Sequence, residues 1–172
     1  MVAISLLQPW ATLAALGLKV NETRSWSTGI QGSLAIHASL GKTGKIRRLC
    51  DENEFISAAL DKLGVGFDDL PRGGIVGLVR LDGVSRIIGP DAGLLLEPNT
   101  STLIPEELTP QERAFGDYTP GRFAWAMSEA RALERLVACR GQQRLWMLPD
   151  LIRDQVYAAL PKPEPVASLL TA

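Results

Sequence analysis

Histidine occurs once in the 172 residues, at His37, and cysteine twice, at Cys50 and Cys139. A single histidine excludes acid–base catalysis by a histidine pair and a histidine-rich metal site. Two cysteines are too few for a disulfide framework or a thiolate metal cage, and they suit a reducing, cytoplasmic setting. No metal or other cofactor is expected. An excess of either charge is also missing, with 18 Lys and Arg against 19 Asp and Glu. The resulting net charge of -1 excludes strong nonspecific attraction to nucleic acid, though not a local basic patch. No apolar run approaches the roughly 20 residues of a membrane span. The start of the chain has no basic segment before Gln8-Pro9, unlike a signal peptide. Gly41-Lys42-Thr43 suggests a phosphate loop, but the glycine that loop requires five residues earlier is Ile36. Lys42 and Lys45 at a helix start can still meet a backbone phosphate.

What is present is the composition of an ordinary globular protein, 46% hydrophobic and 22% charged. A chain of this length makes one domain, expected over 1–160, with a proline-containing tail over 161–172. Residues 2–7 read as an apolar strand and 9–16 as a short helix, with Pro9 at its first turn and Gly17 just past its end. Residues 19–26 are polar and extended, 28–32 a turn, and 34–39 a buried strand. The three- and four-residue spacing over 42–63 predicts two helices or one bent one, interrupted at 51–54. Residues 75–88 give the clearest strand, and 122–127 another. Residues 130–139 fit helix or strand; partial alternation favours strand. A helix is expected from 149 to 160. The stretch 89–110, with three prolines and little periodicity, reads as a loop or lid. Five or six strands with few helices between them predict an α+β fold, a small and mostly antiparallel β-barrel with helices on one side.

The residues that invite chemistry lie at 17–26, Gly-Leu-Lys-Val-Asn-Glu-Thr-Arg-Ser-Trp. Lys19, Glu22 and Arg24 are mixed charges set between two apolar elements, and such charges must be paired or must face a cavity. They are either an ion-pair cluster that ties the helix end to the barrel or a pocket of net charge +1. In a pocket, Arg24 offers a planar fork, Lys19 a point charge, and Glu22 an acceptor for an exocyclic amine. In a straight strand Lys19 and Glu22 face opposite sides, so they converge only if Lys19 belongs to the turn after the helix. Trp26 follows in a polar context and can stack on a base, whereas Trp10, Trp125 and Trp146 read as core. Tyr118 and Arg140 are further candidates to touch a nucleotide. His37, in an apolar strand, is a core histidine or a general base.

Gly17-x-Lys19-x-x-Glu22-x-Arg24, preceded by Ile4-Ser5-Leu6-Leu7-Gln8-Pro9-Trp10-Ala11, resembles the signature of the ASCH domain, G-x-K-x-x-E-x-R. Gly32 to Ser39, Gly74 to Val79, Phe115 to Trp125 and Arg140 to Trp146 continue the resemblance, which spans about residues 2–148 by pattern reading. It implies a PUA-like barrel with a cleft beside the first helix, and a family regarded as nucleic-acid binding, chiefly RNA. It also implies RNA or a nucleotide as partner; Lys19, Glu22, Arg24 and Trp26 are the residues expected to line the cleft, with His37, Tyr118 and Arg140 as secondary contributors. Some similar proteins are enzymes: one branch hydrolyses acylated cytidine and another is reported to cut RNA. An enzyme here, a metal-independent ribonuclease or modified-nucleoside hydrolase, would use Lys19 and Glu22, with His37 as a further candidate. In the acylcytidine branch a threonine taken as the nucleophile stands where this chain has Glu22. A third reading is a protein-interaction module using an apolar face over 149–160.

Overall fold

The structure, a computed structural model, describes residues 1–88, 96–98 and 108–162. The elements run β1 (Val2–Leu6), α1 (Trp10–Ala15), β2 (Asn21–Arg24), β3 (Gly32–Ala38), α2 (Gly44–Glu52) and α3 (Glu54–Leu63). They continue as β4 (Gly74–Ile87), β5 (Leu96–Pro98), α4 (Pro110–Ala114), β6 (Phe123–Ala138), β7 (Leu145–Met147) and α5 (Asp150–Ala158). The strands form one sheet in the order β2-β6-β4-β3-β1-β7, with β5 on β4. β1 and β3 are parallel and every other pairing is antiparallel. The sheet curls into a half-barrel with helices around it, an α+β fold as expected. The curl brings the β2 end back towards β1, where Arg24 Nη2 donates to the Ser5 carbonyl at 3.1 Å.

Both faces of the central strands are buried, which is why they read as continuous apolar runs. Ile4, Leu6, Leu34, Ile36, Val79 and Leu81 point to one side and pack with α1 and Trp125. Their alternates Ala3, Ala35, Leu78 and Ile75 point to the other, under Val156 of α5. The outer face of α5 leaves Leu151 and Tyr157 exposed. A third cluster, Leu13, Cys50, Ile56, Leu60 and Phe115, joins α1 to α2, α3 and α4.

Of the two alternatives for 42–63, the structure has two separate helices, α2 and α3. Asn53 Oδ1 accepts from the Phe55 and Ile56 N–H groups and caps a new helix. The two strands expected over 122–139 are one 16-residue strand, β6, whose register against β4 shifts three times. Shifts of this kind absorb the twist of a long pair and scramble the alternation a sequence would show. Residues 89–95 and 99–107 of the expected lid lie outside the described residues, as does the expected tail beyond residue 162. Leu96–Pro98, inside that stretch, pairs with β4 rather than forming loop.

Candidate functional site

The turn after α1 decides where the charges go. Leu18 N–H bonds the Leu13 carbonyl and Gly17 N–H the Ala14 carbonyl, with Gly17 at φ +71°. This is a Schellman ending, which requires a left-handed residue that glycine adopts without strain. A side chain at Gly17 would also meet Ala130 Cβ at 3.2 Å. The turn reverses the chain so that Lys19 precedes β2 and reaches the same side as Glu22 and Arg24. Lys19 Nζ lies 3.8 Å from Glu22 Oε2, and Arg24 Nε lies 2.9 Å from Glu22 Oε1. That second contact is ionic: the buried Nε–H is not aligned on the oxygen.

The three charges stand at different depths. Lys19 is 1% exposed, Glu22 12% and Arg24 27%. Lys19 donates to the Asn21 carbonyl and, at 2.9 Å, to the Phe115 carbonyl. Burial pulls its amine below the usual lysine range; the carboxylates of Glu22 and Glu112 pull it back, and Arg24 pushes it further down. Lys19 therefore acts as an internal strut with one side on the cleft. Arg24 and Glu22 are the groups that face outward.

The cleft they line measures about 540 Å³ and lies between β1, α1, β2 and the 114–117 turn. Arg122, Asp117 and Trp10 also line it. Arg122 Nη2 donates to the Thr23 carbonyl and its Nε sits 3.2 Å from Asp117 Oδ2. Three cations and two carboxylates thus surround the space, and Trp10, half-buried at the start of α1, supplies an aromatic wall. Thr23, beside Glu22, is turned inward: its Oγ1 accepts from the Asp117 N–H. Thr23 thus borders the cleft with its hydroxyl held by the Asp117 backbone.

Glu112, which sequence reasoning missed, holds the site from behind. It is 4% exposed and accepts from the Val20 N–H at 2.8 Å, the Asn21 N–H at 3.0 Å and the Tyr118 hydroxyl at 2.8 Å. It thereby fixes the backbone between Lys19 and β2. Its sequence signal was Thr109-Pro110-Gln111-Glu112, which spells a helix start; Thr109 Oγ1 accepts from the Glu112 N–H as that pattern implies.

The remaining candidates separate. Tyr118 stands behind the cleft against Glu112, and burial with that carboxylate raises its phenol above the usual range. Trp26 is outside the cleft lining: it packs edge-on against Trp125 at 4.7 Å, with the Arg144 guanidinium over it at 5.6 Å. The partly exposed aromatic of the cleft is Trp10, which the sequence reading placed in the core; Phe115, also in its lining, is buried. His37 and Arg140 line a different hollow, on the far side of Ser5. Lys42 is paired with Asp68 beside Arg47, and Thr43 caps α2. Among the described residues no group of three or more His, Cys, Asp or Glu is placed to hold a metal. No helix among them is long and apolar enough to cross a membrane.

No protein-family profile matches the chain. No curated protein sequence matches it either. Solved structures do. ASCH from Zymomonas mobilis is 13% identical over 94% of this chain and 96% of its own, with a TM-score of 0.50. The S128A mutant of ZmASCH from the same organism is 14% identical over 93% and 96%, also with a TM-score of 0.50. At this identity the likeness concerns the backbone, and over nearly the full length of both chains it gives one result: this protein has the ASCH fold.

Proposed function

We propose that the protein is an ASCH-family RNA-binding protein that takes a nucleotide of single-stranded RNA in the cleft beside Gly17-x-Lys19-x-x-Glu22-x-Arg24. The observation that carries this reading is the convergence of Arg24, Glu22, Arg122 and Trp10 on one open cleft while Lys19 braces it from below. The combination suits a splayed-out nucleotide: guanidinium groups for phosphate, a carboxylate for an exocyclic amine, and an indole face for the base. The full-length ASCH fold and the complete four-letter signature support the family, and the family supports RNA as partner. The free thiols Cys50 and Cys139 are consistent with a cytoplasmic protein.

The hydrolase alternative has less support. Lys19 commits hydrogen bonds to two carbonyls and Glu22 is flanked by two cations, which leaves neither as a ready base. His37, the other candidate base, lines the other hollow.

The test is a fluorescence titration of short single-stranded RNA against wild type and Arg24→Ala at several salt concentrations. Removing one phosphate contact on a single strand lowers the slope of log K against log salt by about 0.7 and weakens binding at every sequence alike. Unchanged affinity and slope in a folded Arg24→Ala protein would defeat the assignment.

A further inference from the structure

The second hollow, about 640 Å³, opens beyond Ser5 between the end of β3, the end of β6 and the 140–143 segment. Its chemistry differs from that of the first cleft. No carboxylate lines it, while Arg72 and Arg140 do, so it favours an anion. Leu40, Leu136 and Ala138 give it apolar walls.

Three of its side chains carry a buried polar atom without a partner among the described residues. His37 is 2% exposed; its Nε2 lies 3.2 Å from the Cys139 carbonyl, which places the proton there and leaves a lone pair on Nδ1. Nδ1 has no partner among the described residues, and neither do Ser39 Oγ and Arg72 Nε. The rest of the Arg72 guanidinium is tied to the Phe67, Asp68 and Leu70 carbonyls, which aims the group. Buried polar groups in folded proteins are nearly always satisfied, so three orphans clustered behind the wall of one hollow single it out. They make a complementary set: one acceptor at Nδ1 and two donors at Ser39 and Arg72. A flat base fits between the apolar walls of the hollow, and a phosphate suits its arginines. Gly141 lies against this group. A Cβ there would come 2.4 Å from His37 Cε1 and 2.7 Å from Nδ1, so only glycine fits against the imidazole.

Ser5 belongs to both hollows. Its carbonyl holds Arg24 on one side, and its hydroxyl donates to the Gln142 carbonyl on the other at 2.9 Å. Two nucleotide-sized spaces are therefore separated by one residue.

We propose that the hollow beside His37 receives the next nucleotide of the same strand, its base between the apolar walls and its phosphate towards Arg140, so that the protein reads two consecutive nucleotides. This rests on the reading that the first cleft binds RNA. Linking the two spaces through one ligand raises affinity without new contacts in either.

Calorimetric titration with nucleoside monophosphates, dinucleotides and trinucleotides of RNA tests it. Wild type should bind a dinucleotide at least about tenfold more tightly than a mononucleotide, with no comparable gain at the trinucleotide. Ala138→Trp, which fills the second hollow from an exposed position, should reduce the dinucleotide to mononucleotide affinity and leave the mononucleotide unchanged. If that variant fails to fold, Leu40→Trp, at a residue 76% exposed, makes the same test. The Cε1–H resonance of the only histidine should move with the dinucleotide and stay with the mononucleotide. Mononucleotide binding with no gain at the dinucleotide, or a gain that survives Ala138→Trp, overturns the two-nucleotide proposal and spares the cleft. No binding of any of the three overturns both.

Discussion

Lys19 and His37 are both almost fully buried, at 1% and 2% exposure, and burial lowers the proton affinity of each. Beyond that they differ. Lys19 is surrounded by acceptors: two carbonyls, with Glu22 and Glu112 close enough to act on its charge. His37 has one carbonyl at Nε2 and, among the described residues, no hydrogen-bond partner at Nδ1. A buried charge whose partners are all present is a structural member; it sets geometry for groups nearer the surface. A buried polar edge without its partner is an unfinished contact. The two hollows on either side of Ser5 thus differ in what lies behind them, a completed network under one and an unpartnered ring edge under the other.

The sharpest way to break this contrast is to remove Lys19. Lys19→Ala leaves two buried carbonyls without their donor and removes one of the two cations beside Glu22. Losing one partner of a buried charged network costs about 3–5 kcal/mol. For a domain of this size that lowers the melting temperature by about 10 °C. Thermal unfolding followed by circular dichroism measures it. A fall of only a degree or two would mean that Lys19 is a ligand group rather than a brace, and the contrast with His37 would fail.

Much of the first cleft was readable because its rules are local. Gly17 after an apolar helix predicts the turn, and the turn predicts that Lys19 joins Glu22 and Arg24. The strands of the sheet centre follow from their apolar runs. What was not readable depends on partners far away in the chain. Glu112 meets Val20 and Asn21, and Arg122 meets Thr23, across some 90 residues or more; no periodicity reports such a meeting. β7 is three residues long, too short to show alternation. Trp26 was misleading for a related reason. Its sequence neighbours are polar, but its spatial neighbours are Trp125 and Arg144. Tyr118 and Arg140 were each read towards the charged motif, and only the curl of the sheet shows which side of it they occupy.

The two tryptophans sharpen the contrast between fixed and open surfaces at the level of binding. Trp10 lines the cleft, and Trp26 is covered on one side by a ring and approached by a guanidinium. Base stacking is worth about 1–3 kcal/mol by alanine substitution, roughly 5- to 150-fold in affinity. Trp10→Ala should weaken RNA binding within that range, whereas Trp26→Ala should chiefly lower stability. RNA titrations paired with melting curves for both variants separate the effects. The opposite pattern would move the stacking surface to Trp26 and redraw the cleft.

The smallest expected effect concerns His37 and is the most direct, since no other histidine titrates. Burial holds its imidazole below the usual value near 6.5, while the hydrogen bond to the Cys139 carbonyl opposes part of that shift. A group with a depressed folded pKa binds fewer protons folded than unfolded, so stability rises with pH across the interval between the two values. The stabilisation is complete above about 6.5 and is lost as pH falls towards the lowered folded value. Carboxylates titrate further down, so the comparison must be with His37→Gln, which should show a flatter profile just below about pH 6.5. Proton NMR of the single Cε1–H follows the same equilibrium directly and should give a midpoint below 6.5. Occupying the neighbouring hollow with a donor facing Nδ1 should lower that midpoint again, because a hydrogen bond accepted by the lone pair stabilises the neutral ring. A midpoint that rises on ligand binding would mean that the imidazole meets an acceptor or an anion as a cation. His37 would then belong with Lys19 as a charged member rather than opposite it as an open edge.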